Sequence, residues 1–573
     1  MWQRFVLGCL LLAVPSACYA QSRAEKVLPA NSQIYFRWDG YKKHWKTYKK
    51  TALGKVIQGD AGTFFKKLLR FAETQGRVGL KQALPPQAPV DKVWDEINAA
   101  LMGFLDHGVV AGVAVSNVQP PKAEAVLVFP NGAGEKKSLL ALINRIAQTN
   151  PNVPVRVVKK GKRTMTQITE GPVNMVWWAE GKDAVVAIGT ETPTQIAKRL
   201  GGQGSITNNP LYKEIQSFDE FPTWGAFYFD LPAVGKVVGK LTPGVEKLTN
   251  KFGLAQIRGI TSHIGFDVPA ERSVTFLHLK PGQRKGILKI APTKTLSLKA
   301  LPAMPKDLKA FSAGHFDIVA LYDVGLDITT EILKLTGQDI NVKQEIDTFQ
   351  QNIGINIRNE ILTSLGTTYA TYASPSEGLL GLGAVSVVKI KDEKKLKTAL
   401  NKVMDLVGAQ APGILQVRTT KYRGVTLYLL DIQAGIQITS PTIAMYKGWL
   451  VYSNYPQPVQ GFILRNSGNL PKWKASKELQ TAISKFPKKF SGITISDPRP
   501  GVKLFFNLLP PLVAGLNSVA REFSPAGLDE PLPVEIIPHP EQITRYLFPN
   551  VSVVVDEGKR IRLDSRTSCP TSF

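Results

Sequence analysis

Cysteine is almost missing from this chain: of 573 residues only Cys9, Cys18 and Cys569 carry a thiol. Arg4 precedes an apolar stretch from Phe5 to Val14, and Cys18-Tyr19-Ala20 places small residues three and one positions before a cut at Gln21. This pattern reads as a secretory signal peptide over residues 1–20, and the apolar stretch is shorter than the roughly 20 residues a membrane span needs. Cleavage there removes two of the three thiols and leaves Cys569 with no intrachain partner. A lipid anchor at Cys18 stays open as a second way of processing the leader, since Ser16-Ala17 suits it while Pro15 does not. A disulfide scaffold is therefore excluded, and stability must come from burial. The 43% of hydrophobic residues is enough for a sizeable core and excludes a disordered chain.

Long hydrophobic runs are also scarce. The best later candidate, Leu504 to Leu516, contains Asn507 and the Pro510-Pro511 pair, which would remove helical hydrogen bonds inside lipid. It reads as a core helix broken by its prolines, so no transmembrane span is expected in the mature chain.

Signatures of chemistry are lacking too. There is no His-Glu-x-x-His, and the six histidines (His44, His107, His263, His278, His315, His539) have no ligand spacing. No Gly-x-Ser-x-Gly elbow and no Asp-rich calcium loop occurs. Gly235 to Thr242, GKVVGKLT, fails the phosphate-loop pattern because Lys240 is followed by leucine, and Gly378 to Gly383 lacks dinucleotide spacing. Both read as turns or close packing. No catalytic residue, metal site or cofactor is expected.

What the chain does have is an order that repeats. Leu28-Pro29-Ala30 returns as Leu301-Pro302-Ala303, 273 residues later. Ala125 to Phe129 matches Ser386 to Ile390, each followed by Glu-Lys-Lys and a helical apolar pattern. Val155-Arg156 matches Val417-Arg418, Asp183 to Ile188 matches Trp449 to Tyr452, and Pro193 matches Pro458. Lys213-Glu214-Ile215 matches Lys477-Glu478-Leu479, and Phe221-Pro222 matches Phe486-Pro487. So many pairs in one order predict a tandem duplication. The expected organisation is a leader (1–20), a first repeat (21–300) and a second repeat (301–573), joined across the Pro/Lys-rich stretch from Lys280 to Lys309.

Strand patterns such as Ser273 to Leu279, and Val551 to Val555 turning at Asp556-Glu557-Gly558 into Ile561 to Asp564, suggest antiparallel pairing. With intervening helical periodicities, each half reads as an α+β fold with a mainly antiparallel sheet and packed helices. The opening Val27 to Ile57, the run Gly354 to Leu362 ahead of Leu365-Gly366, and the closing Pro549-Asn550-Val551 resemble a family of exported bacterial proteins, abundant in planctomycetes, that is defined by a domain of unknown function. The resemblance implies export and an α+β architecture, and it carries no site residues.

Acidic residues are in short supply, and the net charge is +26. The excess is lopsided: residues 1–300 carry +20 and residues 301–573 carry +6. It is densest from Tyr41 to Arg70, where Lys42, Lys43, Lys46, Lys49, Lys50, Lys66, Lys67 and Arg70 are the candidate binding residues for an anionic surface. Around the corresponding helix of the second half stand Asp317, Asp323, Asp327, Glu331 and Asp339 instead. A lysine-rich helix face can be simply solvated. It can also hold an anionic envelope polymer, a membrane surface or the acidic half of another protein copy. Tyr41, Trp45 and Tyr48, on the opposite side of the same helix, read as core. Nucleic acid is disfavoured as a partner, because no binding module accompanies the charge and the leader points away from the cytoplasm.

The expected function is a non-enzymatic binding or structural protein of the cell envelope, periplasm or exterior. The alternative is a hydrolase of envelope polymers that uses carboxylates such as Asp230, Glu220 or Asp497 as acid and base, although each of these reads first as a turn or strand-end residue.

Overall fold

The computed structural model describes residues 23–83, 89–118, 121–134, 138–149, 154–201, 204–241, 244–290, 294–338, 340–378, 382–410, 415–432, 439–523 and 534–569. The expected leader, with Cys9 and Cys18, lies outside the described residues, as do Asp339 and part of the Gly378 to Gly383 segment.

The first half contributes β1 (Ile34–Trp38), β2 (Val109–Val118), β3 (Pro121–Phe129), β4 (Val155–Lys160), β5 (Arg163–Glu170), β6 (Val173–Glu180), β7 (Asp183–Gly189), β8 (Thr223–Phe229), β9 (Ile257–Asp267) and β10 (Ala270–Leu279). The second contributes β11 (Ala310–His315), β12 (Leu365–Ala373), β13 (Val385–Ile390), β14 (Leu415–Tyr422), β15 (Val425–Ile432), β16 (Thr442–Tyr446), β17 (Trp449–Ser453), β18 (Gly492–Ser496), β19 (Asn550–Asp556) and β20 (Arg560–Thr567). Every pairing among them is antiparallel, as the α+β reading requires. From one edge inward the order is β4-β5-β6-β7-β3-β2-β1-β8-β9-β10. From the other edge it is β14-β15-β16-β17-β13-β12-β11-β18-β19-β20. The two orders are the same, strand for strand, and β10 pairs with β20 to make one continuous sheet. Each sequence-matched pair of strand segments occupies the same place in the two orders.

Helices α1 (Tyr41–Tyr48), α2 (Ala52–Gln58), α3 (Asp60–Ala83), α4 (Val90–His107), α5 (Leu139–Thr149), α6 (Pro193–Leu200), α7 (Pro210–Gln216), α8 (Leu231–Leu241) and α9 (Val245–Lys251) belong to the first half. The second has α10 (Ile318–Leu335), α11 (Val342–Ile353), α12 (Glu393–Gln410), α13 (Pro456–Asn466), α14 (Lys477–Ser484), α15 (Arg499–Phe523) and α16 (Pro540–Thr544). Local chemistry sets their starts. Thr192 and Gln195 form a capping box ahead of Pro193 in α6, Asn209 caps α7 ahead of Pro210, and Ser476 caps α14.

Equivalent helices cover one face of each half-sheet. In the first half Ile196 of α6 and Leu211 and Ile215 of α7 pack on Tyr35, Val126, Trp178 and Tyr228. In the second, Val459, Phe462 and Ile463 of α13 and Leu479 of α14 pack on Phe311, Tyr372, Val385 and Val451. On the opposite face, Tyr48 of α1 and Phe104 of α4 close over Trp38, Trp224 and Phe266. The turn that lets α4 meet β1 needs glycine. Gly108 has φ +77, and a Cβ there would stand 1.7 Å from the Trp38 carbonyl oxygen.

The junction is packed rather than free. Leu288 is buried with Ile257 and Leu279, and Leu296 belongs to the second core. A further cluster crosses between the halves, with Ala52, Val56 and Ala61 of the α2–α3 region against Val502, Phe506, Ile543 and Leu547. Here the expectation of a core helix broken by prolines is corrected. Helix α15 continues through Pro510 and Pro511, and only one of its sides is buried. Among the described residues no helix is long and apolar enough to cross a membrane.

Candidate functional site

Three features concentrate charge: the lysine face of α1, a paired carboxyl in the first half, and a polar cavity near the β10–β20 seam. At 100° per residue, Lys42, Lys43 and Lys46 fall on one side of α1 and Tyr41, His44, Trp45 and Tyr48 on the other, and Lys49 and Lys50 follow just beyond its end. Burial follows this division. Tyr48 is buried, Tyr41 joins the aromatic cluster beneath, and Lys42, Lys43, Lys46 and Lys50 are exposed. Trp45 is the exception to its expected core role: it is 40% exposed, stacks on Tyr48 at 5.8 Å, and has the Lys49 ammonium 5.7 Å from its ring. One lysine is anchored, since Lys43 Nζ lies 2.9 Å from Asp39, which also holds His44 at 3.0 Å. Burial and the charges of Lys43 and Arg37 push the His44 imidazole down to about 4, so it is neutral near pH 7.

Lys66, Lys67 and Arg70 are exposed on α3, a separate helix, so the eight candidates are divided among α1, the turn that follows it and α3. The acidic run of the second half is largely engaged. Asp317 caps α10, Asp323 makes a bidentate pair with Arg358 at 2.6 and 2.7 Å, and Glu331 reaches Lys251 of α9 at 2.9 Å.

The three carboxylates considered for catalysis are placed apart. Asp230 accepts from the Ala233 amide at the start of α8. Asp497 is held by Arg499 at 2.8 Å through both oxygens. Glu220 lies at the seam, gripped by Arg562 at 2.5 and 2.6 Å and by Arg272 at 3.2 Å. Burial opposes its charge, but Arg562 and Arg272 outweigh that and hold it ionised below the usual carboxylate range. Gly235 to Leu241 lies inside α8, so that glycine segment is helix rather than a turn.

Two juxtapositions were not visible as motifs. Glu124 on β3 and Glu191 after β7 line a cavity of about 440 Å³, together with Lys122, Ser116 and Gln195. Arg199 of α6 grips both, at 2.5 and 3.1 Å. Burial and the hydrogen bond with Glu191 raise Glu124, whereas Glu191 is held low by Glu124 and Arg199 against its own burial. The register shows what differs between the halves: Glu124 pairs with Gly189, and at the corresponding place Val385 pairs with Ser453. The second half has an apolar core residue where the first has a carboxyl.

The other juxtaposition brings His263 and His278 to one small cavity with Glu214, Asp219, Glu220 and Arg560. His278 Nε2 lies 2.8 Å from the Thr261 hydroxyl, and His263 stacks on Phe218 at 3.9 Å. Burial foremost pushes His263 down to about 3 and lowers His278, so both rings are neutral near pH 7. Among the described residues no group of three His, Cys, Asp or Glu side chains converges as metal ligands.

No family model and no curated protein matches the chain. Solved structures of TP0453 are similar to part of it. Crystal form III matches at 11% identity over 48% of this chain and 82% of that chain, with a TM-score of 0.21. Crystal form I matches at 12% identity over 46% and 81%, with a TM-score of 0.22. A likeness at that level carries no argument about this chain.

Proposed function

We propose that the protein is exported and serves as a non-enzymatic binding protein of the cell envelope, built by tandem duplication, whose lysine-bearing helix α1 holds an anionic polymer or surface. The observation that carries this reading is the segregation on α1, with Lys42, Lys43 and Lys46 on one face and the aromatic anchor on the other, and with Lys49 and Lys50 directly after the helix. Anchored from below by Tyr48, the helix presents its cations without having to order them at the moment of binding, which lowers the entropic cost of association. The engagement of Asp323 and Glu331 within the chain favours an external anion over docking on the acidic half of another copy. The leader pattern and the resemblance to an exported family support the location.

A hydrolase of envelope polymers is the second reading, and the Glu124–Glu191 cavity is what favours it. The geometry argues against glycosidic chemistry there. Arg199 pairs with both carboxyls, so neither is left unpartnered to face a glycosidic oxygen.

The test is retention of the chain, begun at Gln21, on an immobilised anionic polysaccharide as salt is raised. Replacing Lys42, Lys43, Lys46, Lys49 and Lys50 with Gln is expected to abolish retention at about 0.15 M salt, because exposed charges act within a Debye length of roughly 8 Å. Retention equal to that of the native chain would refute the assignment.

A further inference from the structure

Helix α15 leaves a large apolar face uncovered. Of its buried side, Val502 and Phe506 pack with Ile543 of α16, with Leu547 beyond it and with Ala52, Val56 and Ala61 of the α2–α3 region. On the neighbouring side Leu504, Phe505, Leu508 and Leu512 are 44%, 51%, 50% and 58% exposed. These four recur at helical spacing and form one stripe, which scattered single surface hydrophobics do not. The stripe connects with a second one. Phe506 meets Phe64 of α3 with ring centres 6.5 Å apart, and each has an exposed aromatic neighbour beside it, Phe505 at 5.3 Å and Phe65 at 5.4 Å. Phe65 is 40% exposed and Leu69, one turn further along α3, is 69% exposed. Around the same helix the exposed apolar pair gives way directly to Lys66, Lys67 and Arg70.

We propose that this face is a bilayer-contact surface: α15 and α3 lie in the plane of an anionic membrane, with Phe505, Leu508, Leu512, Phe65 and Leu69 entering the boundary between headgroups and acyl chains while Lys66, Lys67 and Arg70 meet the headgroups. The proposal rests on the anionic-surface reading and narrows it to lipid. Large apolar side chains beside a basic face are the arrangement of an interfacial helix. Spanning is excluded for α15 by Asn507 and the Pro510-Pro511 pair, and no described helix qualifies as a span. A second copy of the chain would also cover apolar surface, but it would bring one strongly basic body against another. An anionic bilayer supplies both the apolar phase and the opposite charge.

The test is flotation of the chain begun at Gln21 with vesicles of phosphatidylcholine, alone and with about a third phosphatidylglycerol, beside retention on the anionic polysaccharide column. The native chain is expected to float with the anionic vesicles and to keep part of that binding at high salt. Leu508→Glu with Leu512→Glu, both at exposed positions, is expected to weaken vesicle binding at least about tenfold and to leave polysaccharide retention unchanged. Lys66→Gln, Lys67→Gln and Arg70→Gln together are expected to weaken vesicle binding and raise its salt sensitivity. Native-like flotation of the double glutamate variant, with an unchanged circular dichroism spectrum, overturns the bilayer proposal while leaving the lysine-face reading intact. A native chain that sediments as a dimer without lipid, and becomes a monomer in that variant, assigns the face to a second copy and overturns it as well. Loss of polysaccharide retention by the α1 lysine variant with native flotation would instead separate the two surfaces and support the apolar one.

Discussion

Glu271 lies in β10, 6% exposed, beneath the aromatic cluster that supports α1. In the sheet register it stands between Phe266 of β9 and Thr567 of β20, and its Oε1 has no hydrogen-bond partner among the described residues. Burial alone raises its carboxyl from 4.5 to about 7. The folded state therefore holds a proton that the unfolded chain releases near 4.5. Below that value the group is protonated in both states and its native environment carries no penalty. As pH rises through 7 the native carboxyl must ionise in an apolar site, and the associated stability is lost. At about 1.4 kcal/mol for each pH unit, that interval is worth about 3 kcal/mol. Glu271→Gln keeps the shape of the protonated side chain and removes the ionisation. It should leave stability at about pH 4.5 unchanged and raise it by about 3 kcal/mol at about pH 8.5 relative to the native protein. Urea unfolding followed by tryptophan fluorescence at the two pH values measures this difference. An equal gain at both pH values, or none at the higher one, would refute the reasoning, because a packing effect does not follow the titration of one carboxyl.

At the β10–β20 seam, Asp564 is fully buried and accepts from Arg272 at 2.8 Å and from Arg562 at 2.6 Å. Asp564→Ala leaves two buried guanidinium groups with Glu220 and, for Arg562, the more distant Glu557 at 3.9 Å, and a loss of about 3–5 kcal/mol in urea unfolding is expected; a loss below about 1 kcal/mol would show that the seam does not depend on the network. In the second core, Phe462→Ala empties a fully buried ring site under α13 and should cost about 3–5 kcal/mol by the same assay, with no change in polysaccharide retention.

The parts of this molecule that were legible in the sequence are the local ones. Lysines on one side of α1 and aromatics on the other follow from a 3.6-residue period, and the hairpin that turns at Asp556-Glu557-Gly558 follows from turn chemistry between alternating residues. The acidic run of the second half was readable as charge but not as a set of ion pairs, since Arg358 and Lys251 reach Asp323 and Glu331 only through the packing of other elements. Glu124 with Glu191, and His263 with His278, were invisible as motifs for the same reason: strand register, not sequence spacing, brings them together.

The sequence by itself determined the α+β class, the repeating order of segments and the uneven charge, because each of these depends on composition or on short-range periodicity. Tertiary structure alone decided that the two halves share one sheet, since Arg272 and Asp564, 292 residues apart, meet only when β10 pairs with β20. It also decided which apolar residues of α15 are covered. A helix with more than one apolar side can bury any of them, and the neighbours that pack against it, here α16 together with the α2–α3 region, select the one that stays exposed.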